Sequence, residues 1–303
     1  MKGTRLIVNA DDCGLSRGIT DGVIHAHRFG FLTSTSLMAG MPASEYSVAQ
    51  LQKVSTLGVG VHLNVCTGKP VLPPREIPSL VDANGLFHSP ALMARKLWLW
   101  KVAACDLEAE FRAQIRWIKD RGIAPTHADS HHHMHIYPAA VRAFLRALKA
   151  EGIRQARAPV CGTFPKGGTL GGPHEGPLSR RLLVHTYRNA LQCTFLRRLQ
   201  MPDKRISFFS RDRKNPAVVG DSWKNAIDNL PPGAFELACH PAYFEPGFSE
   251  SDPIRKQREE ELDCLTNCEL HEAIDRRGIR LITYNELPEC AAAEADAAVA
   301  AAS

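Results

Sequence analysis

Residues 5–18 read RLIVNADDCGLSRG, and this stretch gives the clearest indication of the fold class. Its first five residues form a short apolar run with two β-branched side chains, which predicts a buried strand. The Ala-Asp-Asp sequence and Gly14 end that strand, and the residues up to His27 have helical spacing. The chain therefore starts with a strand, a loop and a helix, which is the repeating unit of α/β proteins.

The same alternation of strand and helix recurs along most of the chain. About eight such units predict a parallel sheet closed into an α/β barrel, with an open doubly wound sheet as the alternative. The length of 303 residues and the 44% hydrophobic content suffice for one large core, so we expect a single domain. The further predicted strands lie at 33–37, 59–65, 126–130, 155–158, 206–209, 235–239 and 280–284.

The composition argues against several classes of protein. A formal charge of +5 is small for a protein that binds the nucleic acid backbone, so we expect no nucleic acid partner. The nine cysteines form no CxxC pair, which favours a reducing compartment. No signal peptide and no apolar run of about 18 residues is apparent, and we expect a cytoplasmic protein.

Three stretches interrupt the alternation. Residues 68–90 are rich in proline and predict a long surface excursion near one end of the strands. Residues 159–177 are rich in glycine and proline and precede a basic, helix-like segment at 178–200. We expect the domain to span residues 1–290 and the alanine-rich tail at 291–303 to be disordered.

The strongest chemical signal is HADSHHHMHIYP at 127–138, which places five histidines and an aspartate within nine residues. It follows a predicted strand, at the end of a barrel where metal sites and substrates commonly lie. On an extended chain His131, His133 and His135 would point to one side and His132 to the other, so one ion cannot bind them all.

A second signal is the Asp11-Asp12 pair directly after the first strand. One carboxylate can hold a cation and the other can act as a general base. An Asp-Asp pair taken alone is more often a helix cap, and Ser16 or Asp12 can cap the following helix. Asp129 or Asp11 can also fix the orientation of a ligating imidazole.

Two further histidines end or interrupt predicted strands, His62 in GVGVHLNV and His240 in FELACHPAYF. A single histidine of this kind is more often a hydrogen-bonded core residue, but four strands that bring Asp or His to one rim favour a site. One Asp and two His ligands leave positions on a divalent ion for an activated water and a substrate carbonyl. In amide hydrolysis Asp11 would serve as the base and His240 as the acid.

Four motifs, VNADDCGLSRG, GVHLNVCTGKP, HADSHHHMHIYP and ACHPAYF, together resemble the YdjC-like carbohydrate deacetylases, a family that includes chitooligosaccharide deacetylases. The resemblance spans about residues 5–288. It implies a distorted, TIM-like (β/α) barrel with one divalent ion that removes an N-acetyl group from a sugar containing N-acetylglucosamine. The implied metal ligands are Asp12, His62 and His131, with Asp11 as base and His240 as acid.

The resemblance implies less specific roles for the remaining polar residues. Asp129, His133 and His135 would support the ligands or face the substrate, and Arg157 would contact the sugar. The ligand set suits magnesium or zinc, and also cobalt or manganese, so the identity of the metal stays open.

Two details of the sequence concern the place of this chain within the family. Residues 68–87 resemble the loop of members associated with hopanoid biosynthesis, which implies an amino-sugar glycolipid as substrate. Cys13 departs from the more common NADDFG pattern but removes no ligand. The basic segment 178–200 then fits either a peripheral membrane contact at the inner membrane face or a helix packed on the barrel, and a homodimer is also compatible with the sequence.

Two other functions remain open at this level. A metallophosphoesterase also builds sites from His and Asp, but it usually assembles two or three ions. A catalytically silent protein that binds sugar or metal would keep the fold without turnover.

Overall fold

One parallel sheet organises the computed structural model, which describes residues 3–159, 178–207 and 217–288. The strand order is β4-β3-β2-β1-β6-β5, and β7 also pairs with β1. The strands are β1 (Thr4–Cys13), β2 (Ser34–Leu37), β3 (Gly58–Leu63), β4 (Ala128–Ser130), β5 (Lys204–Ser207), β6 (Gly233–Cys239) and β7 (Arg280–Leu281).

The sheet curls because its two edges are linked by a short extended segment. Ala156 bridges to Ala128 of β4, and Gln155 bridges to Gln200, which lies shortly before β5. The predicted strand at 155–158 is therefore present only as single bridges, since its neighbour β4 is three residues long. The expected α/β fold with a distorted TIM-like barrel is confirmed.

Helices cover the outside of the sheet, and the first shows how the sequence sets their ends. Helix α1 begins after Ser16, whose hydroxyl accepts a hydrogen bond from the backbone N–H of Ile19. Ser16, and not Asp12, is thus the cap. The helices are α1 (Arg17–Phe29), α2 (Ser44–Leu51), α3 (Pro90–Trp98), α4 (Ala104–Lys119), α5 (Pro138–Ala150), α6 (Leu178–Cys193), α7 (Ala217–Asn229), α8 (Arg255–Leu265) and α9 (Cys268–Arg276).

Some predictions fall on parts of the chain that are not described. These are the alanine-rich tail at 291–303, the end of the strand predicted at 206–209, and the Gly/Pro-rich stretch after Pro159. Within the described ranges, no helix is both long enough and apolar enough to cross a bilayer.

The proline-rich excursion at 68–90 is held against the barrel by carboxylates of α4. Buried Glu110 accepts hydrogen bonds from the backbone N–H groups of Val71 and Leu72, at 2.8 and 3.0 Å. Asp106 accepts another from Ser79 at 3.0 Å. The excursion thus depends on side chains of α4 for backbone hydrogen bonds, since its prolines prevent a regular ladder.

Replacing Glu110 with Ala should lower the free energy of unfolding by about 2–4 kcal/mol, because two backbone donors lose their acceptor. Chemical denaturation measures this change. The control is Glu108→Ala on the same helix, whose carboxylate lies 3.7 Å from the exposed Arg146 and should contribute less than about 1 kcal/mol. Equal effects of the two substitutions would contradict the anchoring role of Glu110.

Candidate metal centre

Carboxylates and imidazoles from four strands meet at the carboxyl end of the sheet. Asp11 and Asp12 lie near the end of β1, and His62 lies near the end of β3. Asp129 lies in β4, and His240 directly follows β6. Because the paired strands are parallel, their carboxyl ends share one rim, as the sequence predicted.

Three of these groups form a compact ligand set. Asp12 Oδ1 lies 2.9 Å from His131 Nδ1 and 3.4 Å from His62 Nε2. The three donor atoms all lie within 4.8 Å of one another. Asp12 and His62 are buried, while His131 is half-buried and leaves the cluster accessible from one side. Two imidazoles and one carboxylate suit a divalent ion such as zinc, so this donor set fits a metal.

Backbone conformation and one arginine direct Asp12 into the cluster. Asp12 has a φ of +65°, at a point where the pairing of β1 with β2 shifts register. Arg258 Nη2 donates to Asp12 Oδ2 at 2.7 Å, and Arg258 Nε donates to Asp252 at 2.6 Å. Burial opposes ionisation, but His131 and Arg258 hold the pKa of Asp12 well below its usual value. Asp12 is therefore an anion with Oδ1 facing the histidines.

His62 is oriented from behind by a second carboxylate. Its Nδ1 lies 2.8 Å from Asp129 Oδ1, which leaves Nε2 directed at Asp12. A carboxylate on the far nitrogen fixes the tautomer of a ligating histidine and raises its basicity. Burial lowers the pKa of His62, but the charge of Asp129 and hydrogen bonds to both carboxylates raise it to about 10. A cation at this position would compete with the proton on the ring.

Arg157 lies beneath the site, buried to 1% exposure. Its guanidinium donates two hydrogen bonds to Asp11, at 2.7 and 2.5 Å, and contacts Asp129 and Glu236, each at 2.7 Å. Burial opposes ionisation of Asp11, but the charge of Arg157 holds its pKa below the usual value. Arg157 is buried among these carboxylates and orients Asp11, and its predicted contact with the sugar stays a prediction.

His240 lies on the other side of Asp11. Its Nε2 is 3.9 Å from Asp11 Oδ2, and its Nδ1 is 3.5 Å from Glu261 Oε2 of α8. Burial lowers the pKa of His240, but Glu261 and Asp11 outweigh burial and raise it. The geometry thus pairs an ionised carboxylate with an imidazole that favours its protonated form.

The histidine cluster does not alternate as an extended chain would. Residues His131–Ile136 form a 3-10 helix, in which His132 and His133 have φ of +52° and +55°. The prediction that His131, His133 and His135 share one side is therefore wrong, because the left-handed backbone of His132 and His133 kinks the segment and breaks the alternation of an extended chain. Among the five histidines of the motif, His131 joins the ligand set within the described residues.

Three other histidines of the motif contact residues outside the ligand set. His127 stacks on Tyr284 at 3.7 Å, and burial lowers its pKa to about 3. His135 Nδ1 lies 2.6 Å from Ser130 Oγ, and burial lowers its pKa to about 3 as well. His133 contacts the guanidinium of Arg205. Two of these, His127 and His135, are therefore neutral, buried rings that support the rim.

Three charged residues of the site were missed from the sequence. Arg258 and Glu261 lie three residues apart on α8, so they face the same side of the helix. Glu236 interrupts the apolar strand β6 four residues before His240, and this was the one available signal. The arginine and glutamate of α8 have no local pattern that marks them, because the site residues that they contact, Asp12 and His240, lie 246 and 21 residues away in the sequence.

Comparison with known proteins identifies a family and several relatives that match nearly the whole chain. A profile of the family described as YdjC-like protein matches residues 5–276. A carbohydrate deacetylase of Geobacillus stearothermophilus is 32% identical over 283 residues, covering 92% of this chain and 96% of that protein. One from Brevibacillus brevis is 31% identical over 284 residues, covering 93% and 99%.

A solved structure is similar over nearly the full length. It is a crystal structure from Enterococcus faecalis V583 of a protein for which cellobiose-phosphate cleavage has been suggested. Its TM-score is 0.73 at 27% identity, covering 93% of this chain and 98% of that chain. Together with the sequence similarities, it confirms the resemblance and the fold inferred from the four motifs.

Chelated protein should bind one divalent ion per chain, and calorimetric titration measures this stoichiometry. Asp12→Asn, His62→Gln and His131→Gln should each abolish stoichiometric binding, because each removes a ligand. Asp129→Asn should weaken binding by about 10- to 100-fold, since it removes only the group that orients His62.

The matched control is His25→Gln on α1, whose ring contacts Phe29 and Tyr243 away from the cluster. It should leave the affinity unchanged, and circular dichroism should show that every variant is folded. Full binding by a folded His62→Gln or His131→Gln variant would show that the ion does not use this ligand set.

Proposed function

Because this chain belongs to the YdjC-like protein family, we propose that it hydrolyses the N-acetyl group of a carbohydrate, and specifically of N-acetylglucosamine in a sugar or glycolipid. The activity at the coarser level, carbohydrate deacetylation, agrees with the similar curated proteins. The observation that carries the proposal is the ligand set of Asp12, His62 and His131 beside Asp11 and His240.

The reaction adds water across the amide. A carbon–oxygen bond forms, the carbon–nitrogen bond breaks, and the products are acetate and the free amine. A divalent ion, magnesium or zinc, held by Asp12, His62 and His131 would supply Lewis acidity for the acetyl carbonyl and for water.

The chain supplies the proton transfers. Asp11 is kept ionised by Arg157, so it can accept a proton from the attacking water. His240 favours the protonated form and can donate a proton to the departing amine nitrogen. Since the two groups lie 3.9 Å apart, they can serve opposite ends of one scissile amide.

Arg157 favours the deacetylase over a metallophosphoesterase. A second group of possible ligands, Asp11, His62 and Asp129, lies beside the first and shares His62 with it. The guanidinium of Arg157 contacts both of its carboxylates and so supplies the positive charge that a second ion would bring. This arrangement supports a one-ion hydrolase, whereas metallophosphoesterases usually use two or three ions.

The finer substrate proposal is a glycolipid, including N-acetylglucosamine linked to a hopanoid. What supports it is the similarity of residues 68–87 to the corresponding loop of members associated with hopanoid biosynthesis. The cytoplasmic location and the homodimer stay predictions. A substrate panel that contains both soluble and lipid-linked N-acetylglucosamine compounds separates the two substrate classes.

The first test is acetate release from this panel by chelated protein, before and after single divalent metals are added back. Release should return with metal, and Asp11→Asn should lower kcat by roughly 10²- to 10⁴-fold because it removes the base. Asp120→Asn, at an exposed helix end, is the control with unchanged kcat. Metal-independent release, or full activity of Asp11→Asn, would refute the mechanism.

The second test concerns Glu261, which raises the pKa of His240. Since the acid form is lost as pH rises through the raised pKa, the alkaline limb of the pH profile should report His240. Glu261→Gln removes a negative charge and should move this limb of kcat/KM to lower pH. Glu260→Gln on the same helix is the control. An alkaline limb that stays in place in Glu261→Gln would exclude His240 as the acid.

A further inference from the structure

Several large apolar side chains are exposed on α3, directly after it and on α6. Trp98 and Trp100 are 55% and 65% exposed, and Leu92 and Leu99 are exposed as well. Leu183 of α6 is 69% exposed. These five residues are called the tryptophan patch below. Soluble proteins commonly expose single large apolar residues, but a cluster of them usually marks an interaction surface.

Trp100 is held in a conformation that tryptophan does not favour. Its φ is +56°, and the following residue, Lys101, donates its N–H to the carbonyl of Lys96 at 2.8 Å. This closure of a helix end normally places glycine at the left-handed position, because a side chain there is strained. Strain at an exposed tryptophan costs stability, so this position is a candidate for a role outside the fold.

Trp98 of the tryptophan patch packs next to the end of the histidine motif. The ring of Trp98 lies 6.5 Å from Tyr137 and 5.9 Å from Tyr187, measured between ring centroids. Tyr137 directly follows the 3-10 helix that begins at His131, and Tyr187 donates a hydrogen bond to the carbonyl of Ile136. A surface that engages the patch would therefore meet the chain beside the site.

The two chain segments that build the patch carry one sign of charge. None of the 32 acidic residues of the chain lies in 83–105 or in 178–200. The first segment has three lysines or arginines, including the exposed Arg95 and Lys101, and the second has five arginines. The excess of positive charge in the two segments that carry the exposed tryptophans and leucines complements an anionic surface with an apolar interior.

We propose that the tryptophan patch docks on an anionic lipid bilayer. Tryptophan and leucine would enter the interfacial layer while the arginines and lysines contact the lipid phosphates. The helix end presents consecutive residues as a small wedge, which suits insertion into lipid better than a broad protein interface. This surface goes beyond the deacetylase proposal, and its binding is measured without turnover.

The test is co-sedimentation of the full chain with vesicles, either of phosphatidylcholine alone or of phosphatidylcholine mixed with phosphatidylglycerol. The chain should bind the anionic vesicles, and added salt should weaken the binding because it screens the charges. Tryptophan emission should shift to shorter wavelength on binding, since Trp98 and Trp100 leave water whereas Trp223 is already buried.

Two variants separate docking from stability. Trp100→Gly should lower vesicle affinity by roughly tenfold, because the apolar side chain is lost, while the melting temperature should stay or rise because glycine relieves the left-handed strain. Lys101→Glu should lower affinity at least about fivefold. Phe29→Ser is the control, an aromatic residue 70% exposed outside the patch, and should not change the affinity.

Three outcomes would overturn the proposal. The first is no binding of the wild-type chain to anionic vesicles at low salt. The second is equal affinity of wild type and Trp100→Gly. The third is a dimer in analytical ultracentrifugation that dissociates in Trp100→Gly, because the patch would then be covered by a second copy. The deacetylase reaction on soluble sugars is unaffected by any of these results, so the two proposals fail separately.

Discussion

The active end of the barrel depends on one buried arginine. Arg157 comes from the short segment that links the two edges of the sheet, and it contacts Asp11 of β1, Asp129 of β4 and Glu236 of β6. A buried charge without partners is costly, so the guanidinium and the three carboxylates require one another. Because the donors of a guanidinium point in fixed directions, the arginine also sets the orientation of each carboxylate.

Two arginines orient the other groups of the site, because each binds one oxygen of a carboxylate and leaves the second oxygen for a histidine. Arg157 holds one oxygen of Asp129, and the other oxygen fixes Nδ1 of His62. Arg258 holds one oxygen of Asp12 and leaves the other between His62 and His131. The remaining donors converge on a volume that suits one divalent ion. The two arginines thus pair with the neighbouring carboxylates, and the charge of Arg157 favours the ionised form of Asp11, which the proposed role as base requires.

Four non-glycine residues in the described part of the chain have a positive φ, and three of them, Asp12, His132 and His133, lie in or next to the proposed metal centre. Asp12 adopts a positive φ inside the proposed metal centre, and Trp100 adopts one at the tryptophan patch. Asparagine and aspartate tolerate this conformation, whereas tryptophan does so at a cost. Natural sequences violate local preferences mainly where function requires it, so the positions of Asp12 and Trp100 agree with the two proposals made for them.

The sequence by itself determined the parallel barrel and the rim at which Asp11, Asp12, His62 and the histidine motif meet. It did so because alternating strands and helices require a parallel sheet, whose strands end on one side. Only the tertiary structure decided which imidazole nitrogens face Asp12, since side-chain direction in the 3-10 helix follows from left-handed residues that no spacing reveals. It also decided the roles of Arg157 and Arg258, because Asp11 and Asp12, which they contact, lie 146 and 246 residues away along the chain.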